Sequence, residues 1–448
     1  MTTCITTTAA RARRPLSVGA CCALAAAVLC GCMETARLPL EAGIGPNPEL
    51  PPPDKNLVPT VKVAKAVGWS EGRKPQAANG LQVQPFAEGL DHPRWLLVLP
   101  NGDVLVAETN APPKEPSGIR GRIMSAVQKR AGAGTPSANR ITLLRDADGD
   151  GRAEVKTPFL EGLNSPFGMA MVGQELFVAN TDAVMRFAYA EGETSIGTPG
   201  QKLADLPAGE INHHWTKSLI ASPDGSKLYA TVGSNSNVGE NGLEAEQGRA
   251  AIWEIDRTTG EKRLFATGLR NPNGMAWEPR GNVLWTVVNE RDEIGSDLVP
   301  DYLTSVRRDG FYGWPFSYYG GNVDTRVEGQ KPELVAKALI PDYALGAHTA
   351  SLGLAWSDGR GLPSQYSSGV FIGQHGSWNR RPPSGYRVIY VPFQDGKPQG
   401  RPIEVLTGFL NDDGEAQGRP VGVALDGKGG LLVADDVGNT IWRVSAAQ

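Results

Sequence analysis

One phrase recurs six times along this chain, and it constrains the fold more than any other feature. It runs Gly-X-X-X-Pro or a looser variant, then an apolar strand, a turn, and a second apolar strand. The copies read GLDHPRWLLVLPNGDVLVAETN (89–110), GLNSPFGMAMVGQELFVANTD (162–182), HHWTKSLIASPDGSKLYATVG (213–233), GLRNPNGMAWEPRGNVLWTVVNE (268–290), GAHTASLGLAWSDGRGLPSQYSSGVFIGQHGSW (346–378) and GRPVGVALDGKGGLLVADDVGNTIWRV (418–444). Successive copies start roughly 50 to 80 residues apart, which is too far for a tight solenoid and suits propeller blades carrying insertions. NG, DG and GG turns join strands in which apolar residues alternate with small or polar ones. The reading is all-β: a six-bladed β-propeller over residues 81–448, with LQVQPF (81–86) as an outer strand closing the ring against the last blade. Gly and Pro, 55 and 34 of the 448 residues, act as punctuation between these strands.

Within the fourth copy, Arg270 and Asn271 stand just before Met275, Ala276 and Trp277, which read as a strand following a turn at Pro272, Asn273 and Gly274. A lone Arg-Asn pair there would be loop decoration. In a propeller, however, the first strand of each blade lines the central channel, so the residues before it gather at one mouth. Arg94, Asn164, His214, Arg270 with Asn271, His348 or His375, and Arg419 then come within reach of one pocket. Several Arg and His converging from different blades suit an anionic ligand, because guanidinium pairs bidentately with carboxylates. A net charge of −4, with no basic stripe, argues against nucleic acid.

All five cysteines, Cys4, Cys21, Cys22, Cys30 and Cys32, lie in the first 32 residues. That segment has basic Arg11, Arg13 and Arg14, an apolar run from Leu16 to Leu29, and LCGC at 29–32, the layout of a secretory signal peptide. Its end resembles a bacterial lipobox, which predicts a periplasmic protein lipid-anchored at Cys32 to the membrane surface; soluble export is the alternative, because Cys30 is unusual inside such a box. Removal of the segment leaves at most one cysteine, excluding disulfides within the mature chain, Cys-ligated metal centres and a C-x-x-C-H haem. Residues 33–80, rich in Pro, read equally as an extended tether or as an arm packed on the domain.

The motifs NHHWTKSLIASPDG, GLRNPNG, VNERDEIGSDLVPDYLTSV, FYGWP, GQHGSWNR and GRPVGVALD together resemble the bacterial L-sorbosone dehydrogenase family. That family is related to soluble quinoprotein glucose and aldose-sugar dehydrogenases and to quinoprotein pyranose dehydrogenases. The resemblance covers residues 80–448 in chain order. It implies a propeller that binds pyrroloquinoline quinone (PQQ) with calcium and oxidises a sugar or sugar aldehyde by hydride transfer to the quinone. The electrons then pass to an external acceptor, a cytochrome or a quinone.

The chemistry accounts for the residue types. PQQ is a planar quinone with three carboxylates, so Arg94, Arg270 and Arg419 are suitable holders, and the resemblance adds Asn271 and His375. A base must take the substrate hydroxyl proton, and imidazole suits that task. The family's base position falls on His214, ahead of Pro223-Asp224, with His213 as the alternative. Trp378 could stack on a flat quinone or serve the fold. Where glucose dehydrogenases use lysine, this chain has Gln374-His375. The resemblance places calcium near the main-chain oxygens of Glu290 and Arg291. A second acidic run, DADGDG (146–151), begins like a calcium loop but has Thr157 at position twelve, where a bidentate Glu is needed, and reads better as a hairpin turn. The rival readings are a calcium-dependent propeller lactonase, which needs carboxylates converging at the mouth, and a non-catalytic binding propeller, which needs no Arg/His constellation there.

Overall fold

A computed structural model of the chain describes residues 34–54, 60–114 and 118–447. The leader-like segment with Cys32 lies outside the described residues. Six sheets follow one another around a ring, antiparallel but for Gly310–Phe311, which adds in parallel to the outer strand of the third. Blade 1 takes its strands from 93–160, blade 2 from 169–205, blade 3 from 219–267, blade 4 from 271–347, blade 5 from 351–407 and blade 6 from 420–446. The chain closes the ring with its own N-terminal part. Leu81–Glu88 pairs antiparallel with Thr440–Ala446 and becomes the outer strand of blade 6. The expected closing strand is therefore in place.

Six buried apolar clusters fill the six gaps between blades. The second strand of blade 1 shows why its sequence reads VLVAE without a polar face. Leu105 and Ala107 pack toward blade 2, whereas Val104 and Val106 pack toward blade 6. Successive side chains of a strand point to opposite faces, and here both faces are covered. The expected alternation of apolar with polar residues thus fails on these middle strands, for a physical reason. A propeller blade is sandwiched, not half solvated.

Glycine recurs at one position of the inner strands: Gly168, Gly274, Gly353 and Gly422. There the backbone of the next blade comes too close for a side chain. A Cβ on Gly274 would lie 2.6 Å from the Leu352 oxygen, one on Gly353 2.7 Å from the Val423 nitrogen, and one on Gly422 2.8 Å from the Arg94 oxygen. These contacts let six strands converge on a narrow axis. Gly353→Val would push blade 5 off blade 6, and overpacking of this kind typically costs about 1–3 kcal/mol or more. We expect a lowered denaturant midpoint; an unchanged midpoint would show that the ring tolerates widening.

Residues 34–54 and 60–80 run along the propeller. Ile44–Gly45 adds a fifth strand to blade 4, and Gln76–Ala77 adds one to blade 5. Trp69 donates from Nε1 to Asp435 Oδ2 at 2.7 Å and packs edge-on against Phe409 and Trp442. Two insertions interrupt the blades. Residues 109–139 of blade 1 carry an α-helix at Gly118–Arg130, and residues 306–342 of blade 4 carry a short hairpin.

DADGDG is a turn between the third and fourth strands of blade 1. Asp146 accepts hydrogen bonds from the main-chain nitrogens of Gly149 (2.7 Å) and Gly151 (3.1 Å). Its carboxylate oxygens lie within 4.8 Å of those of Asp148, Asp150 and Glu154.

Candidate active site

In each blade the first two strands form an antiparallel hairpin, so the start of the first strand meets the end of the second. Pro93 pairs with Glu108, Asn271 with Asn289, Ser351 with Gln374 and Pro420 with Asp435. Each of these inner strands is bulged near its start. Bulges bend a strand and re-aim its side chains. Pro272-Asn273-Gly274 is accordingly part of the strand Asn271–Trp277 and not a turn before it. The mouth is therefore built from two sets of residues: those before the first strands, and those just after the second.

Asp436, directly after the second strand of blade 6, ties three blades together. Its Oδ2 accepts from Arg94 Nη1 at 2.7 Å and from His375 Nε2 at 2.8 Å, with His92 Nε2 at 3.6 Å. Burial by itself would raise this carboxyl, but His375, His92 and Arg94 outweigh it and hold the group far below its usual range. Burial lowers the pKa of His375, to about 4 against the pull of Asp436, and its Nε2 donates to that carboxylate. Arg419 lies over the Tyr386 ring and donates from Nη2 to the Tyr386 hydroxyl at 3.2 Å. Arg94 Nε, Arg419 Nε and Asp436 Oδ1 are buried without a partner.

Asp292, in the loop after the second strand of blade 4, organises the other side. Its Oδ2 accepts from Arg270 Nη2 at 3.1 Å; its Oδ1 accepts from Asn379 Nδ2 at 2.8 Å and lies 3.3 Å from His348 Nδ1. Burial would raise Asp292, yet Arg270 and His348 bring it down to about 2. The His348 Nε2 faces the Gly295 oxygen at 2.9 Å. Both ring nitrogens thus meet acceptors, and although burial lowers the imidazole's pKa, Asp292 raises it further. Arg270 also donates to the oxygens of Asn237 (3.2 Å) and Glu290 (2.7 Å) and to Asn237 Oδ1 (3.1 Å).

His214 and Asn271 come together over Gly233, where a Cβ would sit 2.5 Å from His214 Cβ and collide with Asn271 Oδ1. Only glycine lets blade 3 bring this histidine against blade 4. The His214 Nδ1 lies 2.7 Å from the Ser234 oxygen. A carbonyl can only accept, so Nδ1 carries the proton and Nε2 is left basic. Withdrawal from water, then His213 and Arg270, keep this imidazole well below its ordinary pKa. His213 is exposed and stands edge-on to it, ring centres 4.7 Å apart. Asn271 Oδ1 and Asn379 Oδ1 are buried without partners. Asn164 lies exposed on blade 2, and Trp378 is half-buried.

Glu290 and Arg291 do not fit the metal role expected of them. The Glu290 oxygen is taken by the Arg270 guanidinium at 2.7 Å. Arg291 is fully buried and pins the blade 4 insertion: it bonds Glu290 Oε2 (3.0 Å), Asp324 Oδ2 (3.1 Å) and the oxygens of Pro315 (2.9 Å) and Ser317 (2.7 Å). A divalent cation at the Glu290 oxygen would share it with the Arg270 guanidinium. Asp292, Asp436 and Asn237 were not singled out in the sequence. For Asp292 and Asp436 the signal is positional, since VVNERD and VADD both run off the end of a second strand.

The class is thus a six-bladed propeller with a polar mouth that carries arginines, histidines and unpartnered amide oxygens. The TrAA12-like family model matches residues 75–301 and 333–447, and the chain belongs to that family. A protein of Borreliella burgdorferi is 27% identical over 292 residues, 63% of this chain and 76% of its own. The pyrroloquinoline quinone-dependent pyranose dehydrogenase of Coprinopsis cinerea is 22% identical over 363 residues, 71% of this chain but only 44% of that enzyme. Among solved structures, the holo PQQ domain of a Coprinopsis cinerea pyranose dehydrogenase superposes with a TM-score of 0.66 at 20% identity, covering 86% of this chain and all of that one. The AA12 enzyme of Trichoderma reesei superposes at 0.67 and 18% identity, covering 87% and 100%. At these identities the superpositions show the shared fold.

Proposed function

We propose that this protein is a PQQ-dependent dehydrogenase that oxidises a sugar or sugar aldehyde, of aldose or sorbosone type, and delivers electrons to an external acceptor. One observation carries the reading. A histidine with its tautomer set for base chemistry stands beside Asn271, at a mouth where Arg94 and Arg419 each keep a buried Nε without an acceptor. Such donors are what a ligand bearing several carboxylates needs, and Asn271 and Asn379 offer amide groups beside them. The residues fit PQQ. Arg94, Arg419, Asn271 and His375 would hold it; Arg270, whose donors already serve Asp292, Asn237 and Glu290, would shape the wall and lend its charge.

When bound, PQQ supplies an acceptor for two electrons. The chain's own part is to orient and to move a proton. His214 Nε2 takes the proton of the substrate hydroxyl, and Nδ1, held on the Ser234 oxygen, keeps the ring aimed. Asp292 and Asp436 do not serve as metal ligands of a lactonase, because each already engages an arginine and a histidine. The proposal extends to an exported protein anchored by lipid at Cys32.

Titration of the apoprotein with PQQ, with and without calcium, tests the reading. Bound cofactor and dye reduction with aldoses or an osone, but none with NAD, are expected. A folded protein that binds no PQQ at micromolar concentration would refute it.

A further inference from the structure

Behind His214 lie two buried basic side chains, Lys217 and Arg249, that are not ion-paired among the described residues. Lys217 is fully buried, and its Nζ donates to the main-chain oxygens of His214 at 3.3 Å and Trp215 at 3.2 Å. Arg249 reaches the same His214 oxygen from Nη2 at 3.2 Å. It further donates to the oxygens of Gly233 (3.0 Å) and Pro207 (2.9 Å) and to Asn212 Oδ1 (3.1 Å). Every one of these acceptors is a neutral oxygen. Burying an unpaired cation is costly, and a second one nearby adds repulsion. In the other five blades the position of Lys217 is held by Arg94, Phe167, Asn273, Leu352 and Val421, so a lysine is not what the inner strand itself requires.

We infer that Lys217 and Arg249 are positioning residues for His214, clamping its main-chain oxygen from two directions so that the ring stays seated on Ser234. The Gly233 oxygen held by Arg249 adjoins Ser234, so the cation grips both ends of the His214–Ser234 contact. The charge of Arg249 acts in the same sense as the geometry. His214 is faced by His213, Arg270 and Arg249, and its nearest acceptor is neutral Ser234. The nearest acids lie elsewhere: Asp182 acts on Lys217, Glu246 on Arg249, and Asp292 and Glu240 on His213. A site of this polarity keeps the imidazole unprotonated and ready to accept. The catalytic consequence rests on the function proposed above, whereas the seating of the ring is a property of the apoprotein.

The test is an NMR titration of nitrogen-labelled histidines in the full apoprotein, paired with rapid mixing of the PQQ-loaded enzyme with sugar. In the wild type, His214 should show one tautomer, protonated at Nδ1, and remain neutral well into acid. Lys217→Met and Arg249→Met should blur that preference, and Arg249→Met should also move the titration of His214 upward. The same variants should lower the limiting rate of reduction without weakening sugar binding, and Arg249→Lys should restore part of both readouts. An unchanged His214 tautomer and titration in folded Met variants would overturn the inference. A changed tautomer with turnover indifferent to every change, His214→Ala included, would uphold the clamp and refute His214 as the base. If Lys217→Met does not fold, the two Arg249 variants carry the same comparison.

Discussion

His214→Ala is expected to leave PQQ bound and to slow its reduction by sugar about 100- to 10,000-fold, the usual contribution of a general base. Loss of the imidazole removes the proton acceptor and little else, because the Ser234 oxygen that held Nδ1 can take a hydrogen bond from water. His213→Ala should have a small effect, since that ring is exposed and only leans on its neighbour. The wild-type rate should fall on acidification as His214 gains a proton. Its pKa is depressed from 6.5, so the acid limb should have its midpoint below that value. Single-turnover mixing at saturating sugar measures both effects. Normal turnover in His214→Ala with a dead His213→Ala would move the base by one residue.

Asp436→Asn should be the most disruptive single change at the mouth. The carboxylate is 2% exposed and receives Arg94 and His375 on one oxygen. Removing one partner of a buried charge cluster leaves the others uncompensated, at about 3–5 kcal/mol. Denaturant unfolding should show that loss, and PQQ affinity should fall with it because Arg94 is no longer held. The pH dependence follows from linkage. A carboxyl depressed in the folded state contributes stability above its unfolded pKa, ordinarily 3.8, and that contribution is lost as pH falls below it. Asp301 and Asp435, raised to about 6 by burial, work in the opposite sense between about 6 and 3.8. The decisive measurement is therefore the difference between wild type and variant: Asp436→Asn should lose less stability on acidification below about 4. Equal stability of the two proteins at pH 7 would show that the cluster contributes nothing net.

The ring and its blades were legible in the chain because a propeller repeats a local unit. Each hairpin carries its own turn and two apolar strands, so six copies of one phrase imply six blades, and a leftover strand at 81–86 implies closure. The pre-strand residues were legible for the same reason, since topology alone sends His214, Arg270 and Arg419 to one end. Sequence also carried the inner-strand glycines, though not what they face; only packing shows the next blade's backbone filling the space of a Cβ at Gly353 and Gly422.

Tertiary structure decided which groups meet across blades. Asp436 lies 342 residues from Arg94 in the chain and bonds it because the ring closes blade 6 on blade 1. Arg270 reads in sequence as an open cation, yet folding hands its donors to Asp292, Asn237 and Glu290. Pairings of this kind depend on distances between strands that no local pattern encodes. A side chain's type is written in the sequence, but whether its charge is free or already engaged is decided by which neighbour the fold brings within hydrogen-bond reach.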